Sequence, residues 1–418
     1  VALNDDHTTG DGGSGSPISG ADELARVVAW ARAGMEGRPA EDRGAEAASI
    51  DWARAWTLAA GHRVTPLVYI ALQPAISSMP VEIGAQVRAQ IDQVRAHNLR
   101  IASEVKRLAA LLDAAGIPTI PYKGVTLAER AYGSVFAREV RDIDLVVPPE
   151  KIDAARDALI GAGYRWLESF LTPRMERTYR AQMTHYIFHH DETGMHVELH
   201  WTLMYAPTLK GGALRDLWAR TTRGTFWGAP VTLLAADDEL WALLLHGSKH
   251  GWSDAIWACD VVAWMKRFGA DVHWDAIYAR ADAMGARRFV ALGVLMVSAI
   301  MGERFADAAR IPAENDPAAQ RIAAAYRRAW GMTTDDDGLT LAEFRRQWAL
   351  RAWWGDRARY VGTQLAVWTP SPRDLAFVRL PRALYGLYPL VRAIRFGTGY
   401  VGRKGKFSAS DAAGQGKQ

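Results

Sequence analysis

The apolar spacing changes character within one central stretch, and that change limits the fold more than any other feature. Up to residue 112, apolar residues recur at spacings of three and four, as in 87–111. That spacing marks helices that bury one stripe. From 113 to 205 short, partly β-branched runs appear instead, bounded by Pro, Gly and acids: 117–122, 140–147, 163–167, 184–190 and 195–201. Each has the length and composition of a strand. Asp191-Glu192-Thr193-Gly194 separates the last two and suits a hairpin turn. Segments 125–132 and 151–162 are helix-like, and from Asp237 the helical spacing returns behind Asp237, Asp238 and Glu239. Acids there suit a helix N-terminus. Strands confined between two long helical regions predict an α+β protein. The expected organisation is helical over 21–112, an α/β core over 113–235, helical again over 236–366, and a basic aromatic segment over 367–403. Residues 1–20 and 404–418 hold too few apolar groups to order themselves and are expected to be disordered.

Composition narrows the classes. Of 418 residues, 49% are hydrophobic and 23% charged, which suits two or three globular domains with sizeable cores. The single cysteine, Cys259, excludes an intramolecular disulfide and fits a reducing compartment. No signal-like leader and no apolar stretch of roughly 18 residues stands in the chain, so a cytoplasmic protein without a transmembrane segment is expected. The net charge is only +4, but Arg373, Arg379, Arg382, Arg392, Arg395, Arg403, Lys404, Lys406 and Lys417 face only Asp374 and Asp411 at the C-terminal end. That end is able to lie on an anionic membrane surface, on a partner or on its own domain. The α/β unit lacks dense Lys and Arg interleaved with aromatics, so no long nucleic acid is expected as a partner.

The chemistry-bearing residues cluster in the same unit. Asp142 and Asp144 stand in Arg-Asp-Ile-Asp-Leu-Val-Val, where strand alternation puts both carboxylates on one face. Like charges so placed are comfortable in solvent or around a hard cation such as Mg²⁺. Lys123-Gly124 marks a strand-to-helix turn, where free N–H groups and a cation suit phosphate. In His196-Val197-Glu198-Leu199-His200-Trp201, alternation sets His196, Glu198 and His200 on one face and the apolar residues on the other. Glu198 could supply a third carboxylate. His196, Glu198 and His200 could instead hold zinc; otherwise Glu198 is a surface acid of the hairpin, His196 lies at the surface, and His200 either touches a phosphate or substrate or is hydrogen-bonded within the fold. His246 and His250, one helical turn apart beside Lys249, suit nucleotide or acceptor contact, or an ordinary polar helix face. No Glu follows His246, so the metalloprotease pattern is absent. Of Arg138 and Arg141, Arg141 is the preferred phosphate contact. An Asp-x-Asp pair alone is common at solvated strand ends; it gains meaning from the turn before it and the acid after it.

Taken in order, strand, Gly turn, helix, Asp-x-Asp strand and a later acidic strand resemble the DNA polymerase β-like nucleotidyltransferase superfamily. More narrowly, Lys123-Gly124, the 141–147 run, Gly163-Tyr164 and the 197–201 run resemble a family of uncharacterised nucleotidyltransferases, some of which sit in peptide natural-product gene clusters. Leu244-Leu245-His246, Lys249-His250-Gly251-Trp252, Trp257 and Asp260 extend the resemblance, which covers roughly residues 90–270. The Gly-Gly or Gly-Ser of the usual phosphate turn is Lys123-Gly124 here. The resemblance implies a nucleotidyltransferase-type small mixed sheet core between helical N- and C-terminal regions. It implies transfer of a nucleoside monophosphate from an NTP, with ATP the expected donor, to a hydroxyl or phosphate of a small molecule or peptide. Asp142, Asp144 and Glu198 would be catalytic and hold Mg²⁺ or Mn²⁺; Lys123, Gly124, Arg141, His200, His246, Lys249 and His250 would bind the nucleotide. The competing expectation is a non-catalytic nucleotide-binding or scaffold protein of a modification complex.

Overall fold

The sheet is small because few segments alternate, and each of its strands is short. In the computed structural model the described residues are 20–41, 50–169, 171, 173–203, 217–330, 341–351, 355–358, 360–361, 374, 377–378 and 380–397. The expected disorder at 1–20 and 404–418 falls almost wholly outside them, as does much of 367–403.

The chain opens with α1 (Gly20–Met35), α2 (Trp52–Gly61), α3 (Thr65–Leu72) and the long α4 (Val81–Ala114). β1 (Ile120–Tyr122) leads into one helical turn, α5 (Gly124–Leu127), which widens into a π-helical turn at Ala128–Tyr132. Then follow β2 (Ile143–Val146), α6 (Ile152–Gly161), β3 (Arg165–Trp166), α7 (Pro173–Gln182), β4 (His185–His189) and β5 (His196–His200). A hairpin, β6 (Thr222–Phe226) and β7 (Ala229–Leu233), precedes α8 (Ala236–Lys249) and α9 (Ala255–Phe268). After them come α10 (Trp274–Met284), α11 (Arg287–Met301), α12 (Asp307–Glu314), α13 (Pro317–Ala329), α14 (Leu341–Leu350) and α15 (Tyr388–Gly397).

The main sheet has the order β1-β2-β5-β4-β3. Only β2 and β5 run parallel, joined by a connection long enough to hold α6, β3, α7 and β4. All other neighbours are antiparallel, so the sheet is mixed, as expected for this α+β architecture. Ile143, Leu145, Val197, Leu199, Tyr186 and Phe188 are buried on one face and meet Ile101, Val105, Leu108 and Leu112 of α4 in one core. A second, larger core unites α1–α3 with α8–α13. The helices before and after the sheet therefore bury their apolar stripes against each other.

Several sequence expectations need correction in detail. The strands are shorter than the apolar runs: β1 begins at Ile120 rather than 117, and β2 at Ile143 rather than 140. The β6–β7 hairpin was not expected. Its turn is Trp227-Gly228, both at positive φ (49° and 79°), a geometry usually signalled by Asn-Gly or Asp-Gly. α7 was also not expected, because its sequence has no apolar stripe. Instead Arg180 bonds Glu176 within the helix and Asp153 on α6. In the C-terminal segment, the usual polarity is inverted: Leu390 and Ile394 are exposed, while Arg392 and Arg395 are buried on Asp374. Among the described residues no helix is long and apolar enough to cross a membrane.

Candidate active site

Strand register assembles the site. Asp144 stands opposite Tyr122 on β1 and opposite Glu198 on β5. β4 then sets His185 opposite His200. Directly opposed residues share a sheet face, so Asp144, Glu198, His200 and His185 lie together, away from the face that packs on α4. His200 Nε2 lies 2.9 Å from Asp144 Oδ1 and 3.2 Å from Glu198 Oε2. His185 Nδ1 lies 3.7 Å from the same Glu198 oxygen and 3.0 Å from Thr184 Oγ1. Lys123 Nζ lies 3.6 Å from Asp144 Oδ2 and 4.6 Å from the centre of the Tyr122 ring.

Two expectations about the acids change. Asp144 is not a solvated, unpaired carboxylate: it is 6% exposed and held between Lys123 and His200. Asp142 lies one residue before β2 and is only partly buried. Their electrostatics diverge accordingly. Burial pushes the Asp144 carboxyl up, but the Lys123 ammonium and the His200 hydrogen bond outweigh it and hold it well below the usual carboxylate range. For Asp142, burial and the charges of Asp144 and Glu198 act together and push it up to about 6. Burial also raises Glu198, yet the His200 hydrogen bond and His185 bring it below its ordinary value. Burial lowers His200, and its two carboxylate neighbours more than compensate, so it is raised. His185, desolvated and beside His200, is lowered to about 4.

The turn at Lys123-Gly124 departs from expectation in an informative way. Lys123 has φ 55° and ψ −139°, and Gly124 φ 50°. The backbone thus adopts at a lysine a conformation that glycine takes freely, which costs about 1–3 kcal/mol for a residue with a Cβ. In return the ammonium reaches Asp144. The helix behind this turn covers the expected 125–132, as one α turn, Gly124–Leu127, that widens into a π turn, Ala128–Tyr132.

α8 and α9 face the same region. His246 and His250 pack at a tilt of 57° with centroids 4.7 Å apart, and both contact Trp257, at 5.5 and 5.3 Å. Arg63 lies 5.2 Å over the Trp257 ring and bonds Asp254 at 2.6 Å. Lys249 and His250 reach solvent yet are crowded by surrounding protein. That enclosure, with the Lys123 charge adding, lowers Lys249 to about 8. Burial, reinforced by neighbouring cationic groups, lowers His246 and His250 well below the ordinary imidazole value. Lys123, His246, Lys249 and His250 are thus brought together, opposite Asp144 and Glu198.

Other residues fall outside this cluster. Arg141 is exposed at the start of the segment. Arg138 is buried on Asp260, at 2.9 and 3.1 Å, and Tyr132 donates to the same carboxylate. Asn98 donates to the backbone oxygens of Val135 and Arg138, which pins the loop leading to Asp142. His196 is exposed and pairs with His189 at 4.5 Å. The imidazole–carboxylate cluster therefore contains His185 where the sequence offered His196. His185 was legible in principle, because the turn at 191–194 closes on 190 and 195, and counting back sets 185 opposite 200. Arg63 carried no such signal, and Trp257 was marked only by the family resemblance. A cavity of about 920 Å³, lined in part by Pro118, Pro148, Pro149 and Trp218, lies at the other end of β1 and β2 and holds none of these groups.

A family model for uncharacterised nucleotidyltransferases matches residues 48–302, a span that includes every side chain of this site. No curated protein matches the chain.

Proposed function

The chain belongs to the family of uncharacterised nucleotidyltransferases, and from that premise we propose that it moves a nucleoside monophosphate from an NTP to a hydroxyl or phosphate of a small molecule or peptide. ATP is the expected donor. The observation that carries this reading is the pairing of Asp144 with Glu198 across the parallel strands, with Asp142 beside them and Lys123 on Asp144. Burial, reinforced by the charges of Asp144 and Glu198, presses a proton onto Asp142. A divalent cation relieves that pressure, so the donor set fits Mg²⁺ or Mn²⁺ held by Asp142, Asp144 and Glu198. When bound, the cation would supply charge stabilisation for the reacting phosphate and the leaving pyrophosphate.

The protein's own groups divide the remaining work. The acceptor oxygen attacks the α-phosphorus, the bond to the bridging oxygen breaks, and pyrophosphate leaves. Glu198 is suited to serve either as a ligand or as the base that takes the acceptor's proton. Lys123 and Lys249 offer charge to the triphosphate, with Gly124 at the turn and Arg141 at the rim. His246 and His250, neutral beside Trp257, offer flat surfaces for a base or an acceptor ring. His200 fixes the two paired carboxylates.

Thermal shift with ATP, GTP, CTP and UTP, each with and without Mg²⁺ or Mn²⁺, tests the reading first. Stabilisation by at least one NTP that requires the cation is expected, about 2.7 kcal/mol at a hundred times Kd. Pyrophosphate release is then screened over candidate acceptors, with Asp144→Asn as the inactive comparison. No shift with any NTP would overturn the proposal. Cation-dependent binding that never yields pyrophosphate would favour a nucleotide-binding scaffold instead.

A further inference from the structure

We propose that His185, Glu198 and His200, with Asp144 at their side, form a transition-metal site that shares Asp144 and Glu198 with the oxygen-only seat but takes its two imidazoles in place of Asp142. The proposal deepens the nucleotidyltransferase reading and rests on it for the use of the ion, not for its binding. One ligand atom from each of His185, Glu198 and His200 lies within 4.8 Å of the others. Nitrogen and oxygen ligands about 2.0–2.2 Å from a metal, at angles near 90–110°, stand about 2.9–3.6 Å apart. The successive separations here are 2.9 Å (Asp144 to His200), 3.2 Å (His200 to Glu198) and 3.7 Å (Glu198 to His185). The first two fall within that range and the third lies just beyond it, so a small side-chain adjustment would close these donors on one ion.

The donor types set the selectivity. Two imidazoles and a carboxylate suit Zn²⁺, Co²⁺, Fe²⁺ or Mn²⁺, whereas Mg²⁺ prefers oxygen alone. Both imidazoles converge on one oxygen, Glu198 Oε2, with ring centres 4.7 Å apart. One cation held between them would satisfy both rings. Lys123 sits on the other oxygen of Asp144, Oδ2, leaving Oδ1 to the site. The Thr184 hydroxyl at His185 Nδ1 is the contact the ion would displace. Antiparallel register supplies the rigidity, since His185 and His200 are directly opposed.

The test uses the full chain, stripped with a chelator, in the absence of nucleotide. Co²⁺ is titrated and followed by visible absorption, with Zn²⁺ and Mg²⁺ as competitors. One Co²⁺ per chain is expected, displaced by Zn²⁺ but not by excess Mg²⁺. His185→Gln and Glu198→Gln should each weaken binding by about tenfold or more, and Asp142→Asn should leave it in place. Circular dichroism checks that each variant is folded. Absence of Co²⁺ binding by the wild type overturns the proposal, leaving a hydrogen-bonded imidazole–carboxylate network. So does binding that is lost in Asp142→Asn and untouched in His185→Gln. If NTP and Mg²⁺ still stabilise the protein while Co²⁺ fails to bind, only this site is refuted. If Co²⁺ binds while no NTP does, the site stands and the nucleotidyltransferase reading falls.

Discussion

At the scale of the residue, Asp142 and Lys123 show the site working against stability. A carboxyl raised to about 6 prefers its neutral form in the folded protein. Below pH 4, where folded and unfolded chains both hold the proton, Asp142 imposes no penalty. The penalty grows as pH rises through 4–6 and is complete above 6, at about 2–3 kcal/mol at most. Asp142→Asn should therefore raise the melting temperature of the metal-free protein at pH 7.5, leave it unchanged at pH 4, and abolish stabilisation by NTP with Mg²⁺. A lower melting temperature at pH 7.5 would show that Asp142 is a structural group. Much of this was legible in the sequence: alternation put the acids on one face, and Lys123-Gly124 marked a turn. What alternation could not show is that one acid is fully buried between Lys123 and His200 while its neighbour is only partly buried. That difference comes from His200 and Lys123, which belong to other strands and turns.

At the scale of the element, close approach of backbones decides which helices meet. α1 crosses α3 at Gly34, where an added Cβ would stand 1.9 Å from the Leu67 carbonyl oxygen. The obstacle is backbone and cannot swing aside. Gly34→Ala should cost about 1–3 kcal/mol, toward the upper end. In urea the midpoint should fall with little change in m-value; an unchanged midpoint would mean that the crossing is looser than described. Helix positions were legible because long amphipathic stretches repeat their signal many times. Short strands repeat it twice or three times, which is why the ends of β1 and β2 moved and why β6–β7 and α7 escaped notice. The β6–β7 turn relies on Trp227 at positive φ, and α7 relies on ion pairs with α6, so neither announces itself in apolar spacing.

At the scale of the whole molecule, the helical regions on either side of the sheet share one core, in which Leu24, Trp30 and Leu67 pack in the same cluster as Trp264, Val290 and Ile322. A fragment of residues 20–235 would leave the first three helices without that partner. It is expected to lose cooperative thermal unfolding and to bind a hydrophobic dye; a sharp, independent transition would refute the shared core. By itself the sequence determined the α+β class, the placement of the sheet between helical regions, and the residue types of the site, because each follows from local periodicity and side-chain chemistry. Only the tertiary structure decided that His185 rather than His196 joins Glu198 and His200, that Arg138 is buried on Asp260, and that α8 brings His246, Lys249 and His250 to face the carboxylates. Those outcomes depend on strand register and helix crossing, which are settled by burial across the whole chain. The periodicity change that bounds the sheet thus marked the stretch holding the candidate site, and the packing of distant helices set which groups surround it.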